Sequence, residues 1–280
     1  MSVIKNLYSI ETGNFKLDGG AMFGVVPKVI WEKTNPADDL NMIDMAARSL
    51  LIETTNKLIL IDAGLGDKQN EKFFSHYYKW GGDSIENSIK KAGFKSSDIT
   101  DVFFTHLHFD HCGGAIIRRG ERLIPRFENA DFWVNKDHWE WATSPNSREK
   151  ASFLQENIIP LKDSGKLNLI DGYENPLGFD ILTVSGHTEK MMLPFLNFKN
   201  KTIVFVSDLI PTIGHIKIPY IMGYDTRPLL TLKEKRSFLK EASKKNFLLF
   251  LQHDVKNEII EIKMHNDKFR LNKTFKLEDI

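Results

Sequence analysis

Short apolar segments that end in polar residues recur along this chain of 280 residues. Their apolar parts are five to seven residues long, which suits a buried β-strand and is short for a helix. They are RSLLIET (48–54), KLILIDAG (57–64), DVFFT (101–105), FDILTV (179–184), KTIVFV (201–206) and NFLLFLQ (246–252). Helical periodicity fills the intervals, and no linker rich in Pro, Gly or Ser divides the chain. This mixture predicts a single layered α/β or α+β domain over residues 1–280.

Two of the predicted helices carry a start signal. In a capping box, a small polar side chain accepts a hydrogen bond from the backbone three residues on, where a Glu side chain reaches back. The pairs at that spacing are Asp83 with Glu86 and Thr231 with Glu234. We therefore expect helices over residues 83–93 and 231–246. Residues 131–142 are expected to pass from a strand into a helix near Asp137.

The composition excludes several classes of function. A formal net charge of +1 provides no electrostatic attraction to nucleic acid or to an anionic membrane. No segment is apolar enough for a membrane helix, and the N-terminal residues lack the apolar region of a signal peptide. The single cysteine, Cys112, excludes an internal disulfide and suits a reducing compartment. We therefore expect a cytoplasmic protein that binds neither nucleic acid nor membrane.

The segment THLHFDHCGG (105–114) carries the strongest chemical signal. His106 and His108 are two residues apart where a predicted strand ends, so both side chains leave on the same face. Asp110 and His111 fall in the turn beyond, and the two glycines that follow allow the backbone to turn sharply. Imidazole nitrogens combined with a carboxylate suit zinc, iron or manganese. The segment therefore predicts a metal site.

The number of ligand-type side chains indicates two metal ions. One ion needs three or four protein ligands, whereas two ions about 3.5–4 Å apart need about seven, including a bridging carboxylate. His187, Asp208 and His253 each follow another apolar segment and complete a set of five histidines and two aspartates. Cys112 is interpreted as a small packed residue, because a thiolate ligand would make the aspartates redundant. The remaining histidines are expected to be surface or hydrogen-bonded residues: His76, His138, His215 and His265.

The motifs THLHFDHCGG, GHT (186–188), SDL (207–209) and QHD (252–254), in this order, resemble the metallo-β-lactamase superfamily of metallohydrolases. The resemblance covers essentially the whole chain and implies a four-layer αβ/βα sandwich with the metals at one edge of its two sheets. Its implied ligands are His106, His108 and His187 for the first ion, Asp110, His111 and His253 for the second, and Asp208 between them. The expected cofactor is a pair of divalent ions, zinc by default, with iron, manganese or cobalt as alternatives.

The resemblance also implies a role for Asp62, in the segment IDAG. The matching family position supports the ligand imidazoles from outside the coordination sphere. An aspartate that only forms the turn after a strand is an equally good interpretation of its spacing.

Several branches of the superfamily match less well. β-Lactamases lack an aspartate at the bridging position, so Asp208 argues against antibiotic hydrolysis. Flavo-diiron proteins carry Glu where this chain has His108. No RNA-binding extension is evident, and the tail after His253 does not resemble the helical C-terminal domain of glyoxalase II thioesterases.

Residues 17–33 and 208–235 resemble the branch that contains N-acyl homoserine lactone lactonases and related organophosphate hydrolases. This resemblance implies a hydrolase in which a hydroxide bridging the two metals attacks the lactone carbonyl, with Asp110 as the proton shuttle to the leaving alkoxide. A glyoxalase II-like thioesterase or a phosphotriesterase at the same metal site is the alternative. A non-catalytic metal-binding sensor also stays open.

The substrate-binding residues follow less directly from the sequence. The best-known lactonases of this branch carry a Tyr three residues after the bridging aspartate, to hold the lactone carbonyl, and this chain has Pro211 there. The candidates to replace that tyrosine are His215, Tyr220 and Tyr224. Met22, Phe23 and Val25 in an early glycine-flanked loop are candidates for an apolar wall against the acyl chain. Core packing or the contacts of a homodimer would equally account for these three residues.

Overall fold

The structure is a computed structural model that describes residues 3–171 and 177–280. Its strands, numbered along the chain, are β1 (Ile4–Asp18), β2 (Met42–Thr54), β3 (Leu58–Ile61), β4 (Asp101–Phe103), β5 (Ile116–Arg119), β6 (Arg122–Pro125), β7 (Asp131–Asn135), β8 (Leu167–Ile170), β9 (Asp180–Val184), β10 (Met191–Phe198), β11 (Lys201–Phe205), β12 (Leu248–Phe250), β13 (Ile259–His265) and β14 (Lys268–Phe275). Its α-helices are α1 (Gly19–Phe23), α2 (Lys28–Trp31), α3 (Glu71–Ser75), α4 (Ile85–Lys91), α5 (Phe109–Cys112), α6 (Lys136–Thr143), α7 (Gln155–Asp163) and α8 (Pro228–Lys245).

Most strands belong to two six-stranded sheets. The first has the order β1-β2-β3-β4-β7-β8, and the second has the order β14-β13-β12-β11-β10-β9. In the first sheet, β3, β4, β7 and β8 pair in parallel. In the second sheet, β11 pairs in parallel with β12, and β9 runs in the same direction because it pairs antiparallel with β10, which pairs antiparallel with β11. β5 and β6 form a separate hairpin.

The buried side chains form layers around these sheets. One apolar cluster lies between the two sheets, with Ile59 and Phe103 from the first and Phe205 and Phe250 from the second. A second cluster joins the outer face of the first sheet to helices α4, α6 and α7. A third joins the outer face of the second sheet to α8, through Phe238 and its neighbours. This is the four-layer αβ/βα sandwich that the sequence resemblance implied.

The direction of the strands determines where the candidate metal ligands lie. Strands β4, β9, β11 and β12 are followed within a few residues by His106, His187, Asp208 and His253, respectively. Because strands that run in the same direction end at the same edge of a sheet, their following loops are neighbours. The two sheets present these loops to each other at one edge of the sandwich.

The apolar segments of the sequence all form strands, although two helix starts differ from the prediction. Helix α4 is capped by Ser84, whose side chain accepts a hydrogen bond from Asn87 N, and Asp83 lies outside it. Helix α8 begins at Pro228, one turn before Thr231, because Pro favours the first helical position. Residues 131–142 pass from β7 into α6 at Asn135 and Lys136, close to the expected position. No helix in the described part of the chain is long and apolar enough to span a bilayer.

Candidate metal centre

The histidine-rich segment wraps the C-terminal end of β4. His106 and His108 follow the strand, with His108 in an extended conformation, and Asp110 and His111 lie in the short helix α5. The glycines that follow pack directly on the chain after β3, and a Cβ atom on Gly114 would lie 2.0 Å from Ala63 O. Only glycine permits this approach, which brings α5 against the end of β3.

Seven buried side chains form two adjoining groups that could each hold a cation. The groups are His106, His108, His187 and Asp208, and then Asp110, His111 and His253. In each group the candidate ligand atoms all lie within 4.8 Å of one another. Asp208 connects the groups, since its Oδ2 lies 3.1 Å from His187 Nε2 and its Oδ1 lies 3.0 Å from His253 Nε2. The structure therefore brings together all seven residues that were predicted from the sequence to be ligands.

The ring nitrogens that face the interior of the centre are unusually close to each other. His106 Nε2 lies 3.0 Å from His108 Nδ1, and that atom lies 3.2 Å from His187 Nε2. His253 Nε2 lies 3.3 Å from His111 Nε2. Several of these nitrogens carry lone pairs, because the opposite nitrogen of the ring faces an acceptor. Lone pairs at this separation repel unless a cation lies between them.

The opposite ring nitrogens of three of these histidines lie within hydrogen-bond distance of an acceptor outside the centre. His111 Nδ1 lies 2.9 Å from Asp62 Oδ2, and His187 Nδ1 lies 2.9 Å from Asp225 Oδ1. His253 Nδ1 lies 2.8 Å from the carbonyl oxygen of Ala46, which can only accept. These partners fix the tautomer and orientation of the imidazoles, as the outer partners of metal-bound histidines do. The donor set and its orientation therefore fit a pair of divalent ions.

Asp62 organises the end of β4 as well as His111. Its Oδ1 accepts a hydrogen bond from Thr105 N at 2.8 Å, and its Oδ2 accepts one from Thr105 Oγ1 at 2.8 Å. Asp62 is fully buried and has a φ of 58°, a left-handed conformation that Asp tolerates better than most residues. The carboxylate thus lies where the resemblance implied it would act.

Glu149 is a further carboxylate at the centre, and no sequence motif pointed to it. Its Oε2 accepts hydrogen bonds from Trp141 Nε1 and Asn146 Nδ2, both at 2.7 Å. Its Oε1 lies 3.4 Å from His108 Nε2, and neither atom meets hydrogen-bond geometry with any of the described residues. Burial opposes ionisation of Glu149, but the facing His108 ring and then the donors around the carboxylate outweigh it and lower the pKa of Glu149 to about 2. Glu149 is therefore a charged partner for the outer nitrogen of His108.

The pKa shifts of the histidines indicate that positive charge stabilises the centre. Burial and the neighbouring imidazoles lower the pKa of His106 well below its usual value, so this ring is a neutral donor. Burial also opposes protonation of His187, but Asp208 and then Asp225 outweigh it and raise the pKa of His187 to about 10. Without a metal, protons would have to balance the buried carboxylates.

A cavity of about 370 Å³ opens onto both groups of donors. Its polar end is formed by His108, Asp110, His187, Asp208 and His253, and its walls include Leu17, Met22, Met45, Tyr77, Phe109, Met222 and Tyr224. Neither tyrosine hydroxyl makes a hydrogen bond within the described residues. Burial, and then the charge of Asp110, raises the pKa of Tyr77 to about 12, so its hydroxyl remains a donor at neutral pH. Such a cavity accommodates an apolar molecule that has one polar end.

The substrate residues suggested by the sequence divide into two groups. Met22 and Tyr224 line this cavity. Phe23 lies away from it, because its ring is fully buried and stacks on Trp31 and His215 at centroid distances of 5.2 and 4.4 Å. Both ring nitrogens of His215 have hydrogen-bond partners: Nδ1 lies 2.9 Å from Thr212 Oγ1, and Nε2 lies 2.8 Å from Met22 O. Tyr220 also does not line the cavity.

The early glycine-flanked segment differs from the expected loop. Residues Gly19–Phe23 form helix α1, because the Asp18 side chain accepts a hydrogen bond from Ala21 N and caps it. Val25, just beyond this helix, is 92 % exposed and does not line the cavity. The helix directs Met22 toward the cavity and Phe23 into the core.

The other candidate residues outside the ligand set are buried. Cys112 is packed in the core and its thiol donates to Leu107 O at 3.3 Å. Burial raises its pKa to about 12, so it is a protonated packing residue, as expected. His138 is buried and hydrogen-bonded, accepting from Leu107 N at 2.8 Å. Burial lowers its pKa to about 3, so this neutral ring supports the segment between His106 and His108.

Comparison with known proteins agrees with this architecture. The profile of a family described as the metallo-beta-lactamase superfamily matches residues 44–253. The N-acyl homoserine lactonase AiiA of Bacillus thuringiensis subsp. kurstaki is 24 % identical over 269 residues, which cover 91 % of this chain and 95 % of that protein. A crystal structure of a probable metal-dependent hydrolase from Staphylococcus aureus is 28 % identical with a TM-score of 0.86, covering 97 % of this chain and 98 % of its own. AidC, a dizinc quorum-quenching lactonase solved with a product, is 23 % identical with a TM-score of 0.79, covering 99 % and 98 %.

Proposed function

This chain belongs to the metallo-β-lactamase superfamily of hydrolases, and we propose that it opens the ring of N-acyl homoserine lactones. The observation that carries the proposal is the cavity, whose apolar walls lead directly to a polar end formed by the candidate metal ligands. An N-acyl homoserine lactone has a matching form, since it combines an apolar acyl chain with a compact polar ring. Relatives that align over 91 % of the chain are named as lactonases acting on this class of molecule.

The centre would hold two divalent ions, with zinc as the default. The first would be held by His106, His108 and His187, the second by Asp110, His111 and His253, with Asp208 between them. Metal ions bound in such a centre polarise a carbonyl group and make water nucleophilic at neutral pH. Asp62, Asp225 and Glu149 face the outer ring nitrogens of His111, His187 and His108, which orients each imidazole with its other nitrogen toward the metals.

Asp110 is our candidate for moving a proton. Its carboxylate lines the cavity at the polar end, and its Oδ2 lies 3.7 Å from His253 Nε2 and 3.8 Å from His111 Nε2. Ring opening creates an alkoxide that must gain a proton while the attacking water loses one. A carboxylate beside the reacting carbon can carry out both transfers.

Tyr77 and Tyr224 are our candidates for holding the lactone carbonyl. Pro211 occupies the position of the tyrosine expected from the resemblance, and it is buried and outside the cavity lining. Both tyrosines line the cavity, and burial, with a smaller effect from the charge of Asp110, raises the pKa of each hydroxyl. A phenol that donates to the carbonyl oxygen would stabilise the negative charge that develops there. Met22 and Met222 would contact the acyl chain.

The proposal is tested by measuring acid release from a panel of substrates with protein loaded with zinc, manganese or cobalt. N-Hexanoyl and N-decanoyl homoserine lactones should be opened much faster than a β-lactam, an acyl thioester or a phosphotriester. A simple γ-lactone without the acyl amide serves as the matched control for the ring alone. Inertness toward all lactones, together with rapid cleavage of the thioester or phosphotriester, would reassign the substrate class.

A further inference from the structure

A second concave surface lies apart from the candidate metal centre. It is a groove of about 770 Å³ between the loop that follows Ile216 and strand β14, which is an edge strand of the second sheet. None of its lining residues lines the cavity at the metal centre. Its volume is within the range of small-molecule binding sites.

The floor of this groove is apolar. Ile216 and Phe269 line it and are almost completely buried, and Ile218, Pro219 and Leu271 add further apolar lining. The loop that carries residues 217–220 is held in place by the buried Lys235 of α8, whose Nζ donates to Lys217 O at 3.0 Å and to Tyr220 O at 2.6 Å. The groove is therefore already formed, and a ligand would not have to order it.

The rim of the groove is basic. Lys217, Arg236, Lys268 and Arg270 line it, and the one acidic lining residue is Asp267. Within residues 3–171 and 177–280, none of the four cations forms an ion pair with a carboxylate. Lys217 instead lies over the ring of Tyr220, 4.8 Å from its centroid. Four cations against one anion are a local excess in a chain whose net charge is only +1.

We propose that this groove binds the carboxylate form of a long-chain fatty acid. The apolar floor matches the hydrocarbon chain, and the unpaired cations match the carboxylate, so one molecule satisfies both features. A small anion such as phosphate would leave the floor uncovered, and an uncharged lipid would leave the cations without a partner. The proposal does not depend on the reaction at the metal centre.

The experiment is isothermal titration of the metal-loaded full-length protein with dodecanoate. One dodecanoate should bind at the groove, and affinity should rise about two- to fourfold for each CH₂ group added from octanoate to dodecanoate. Dodecanol, which has the same chain without the charge, should bind at least about tenfold more weakly. Equal binding of dodecanol would overturn the role of the basic rim.

Paired variants locate the site. The double variant Lys268→Glu/Arg270→Glu should weaken dodecanoate binding about tenfold or more, since two attractive charges become repulsive. Lys273→Glu changes the same charge at an exposed position on β14 outside the groove and should have little effect. Leu271→Asn should weaken binding, whereas Leu169→Asn, at an exposed leucine on the other sheet, should not. These four variants should have the same hydrolase activity as the wild type, because none of the changed residues lines the cavity at the metal centre.

Three further results would overturn the proposal. The first is dodecanoate binding that the double variant leaves unchanged, which would place the ligand elsewhere, including at the metals. The second is an equal loss in Lys273→Glu, which would indicate unspecific attraction. The third is binding to vesicles of phosphatidylglycerol and phosphatidylcholine that requires Lys268 and Arg270 while dodecanoate does not bind, which would make the surface a membrane contact.

Discussion

Each histidine of the candidate metal centre uses its two ring nitrogens differently, one toward the centre and one toward a supporting group. The supporting groups are three carboxylates, a carbonyl oxygen and the hydroxyl of Thr105, which lies 3.0 Å from His106 Nδ1. A carboxylate behind an imidazole increases its basicity as a ligand and restrains its rotation. The affinity of the centre for metal would therefore depend on residues that do not touch the metal.

Glu149 permits a direct test of this dependence. Removing its carboxylate in Glu149→Ala should weaken metal binding about 10- to 100-fold at the group that contains His108. Glu149→Gln should have a metal affinity between those of Glu149→Ala and the wild type, because the amide keeps an acceptor oxygen but loses the charge. The measurement is competition for zinc with a chelator of known affinity. Glu140→Ala, at an exposed position on α6, is the control; equal zinc affinity in both alanine variants would show that Glu149 has only a structural role.

The two cavity tyrosines can be distinguished by removing one hydroxyl at a time. If Tyr224 donates to the lactone carbonyl, Tyr224→Phe should lower kcat on the order of 10–100-fold with little change in metal content. Tyr77→Phe should have this effect instead if that hydroxyl is the donor. Tyr220→Phe is the matched control, since Tyr220 lies outside the cavity lining. Unchanged kcat in both cavity variants would remove the tyrosines from the mechanism.

At the scale of the elements, helix α8 holds two of the loops at the metal centre. Glu234 accepts hydrogen bonds from Ser185 N at 2.8 Å and Gly186 N at 2.9 Å, immediately before His187. The adjacent Lys235 donates to the loop that leads to Met222 and Tyr224. One turn of this helix thus positions a candidate ligand and part of the substrate cavity.

Lys235 should make stability depend on pH in a predictable direction. Burial lowers its pKa to about 7, whereas a lysine in the unfolded chain has a pKa of about 10.4. Between these values the unfolded chain binds the additional proton, so the free energy of unfolding should rise with pH, by up to about 1.4 kcal/mol per unit. Below about pH 7 both states are protonated and this contribution no longer changes.

Lys235→Met removes that titration. Urea unfolding of wild type and variant between about pH 7 and 10 should show the wild type gaining stability relative to the variant as pH rises. Lys233→Met, at the exposed position two residues earlier, should follow the wild type. Parallel pH profiles for the wild type and Lys235→Met would contradict the lowered pKa.

How much the sequence could predict varies with the distance between the residues involved. The seven donors could be identified because each follows an apolar strand, and strand ends are local features. Glu149 and Asp225 could not be identified from the sequence, because both lie in irregular segments. Only tertiary packing places Glu149 beside His108 and Asp225 beside His187. Glu234 shows an intermediate case, since its spacing from Thr231 indicated the cap of its own helix. The helix instead begins at Pro228, which places Glu234 in its second turn, where it caps a different segment.

At the scale of the whole molecule, the candidate metal centre joins the two sheets. His106, His108, Asp110 and His111 follow β4 of the first sheet, and the other donors follow strands of the second. Metal bound here would hold the two halves of the sandwich together, because both halves supply its ligands. Metal binding at this centre would therefore link the stability of the entire fold to metal concentration.

Removal of metal should reveal this linkage. Protein purified without chelator should contain about two metals per chain, and chelation should lower its melting temperature by about 5–10 °C, with recovery on adding zinc. Asp208→Ala should lose metal, activity and the zinc-dependent increase in melting temperature together. Asp39→Ala, an exposed carboxylate, is the control. A stable protein with one metal and full activity would contradict the two-metal centre.

The walls of the substrate cavity come from parts of the chain that supply few of the metal donors. Met22 belongs to α1, Tyr77 follows α3, Arg148 follows α6, and Met222 and Tyr224 lie in the loop before α8. Apart from Phe109, which lies beside Asp110 in α5, most of the residues that would select the substrate are thus encoded separately from the ligand set. A mutational library confined to these four segments could change which molecules are accepted while the ligand set stays intact. The same separation would allow proteins that evolve from this one to change substrate by successive substitutions in these segments, without an inactive intermediate.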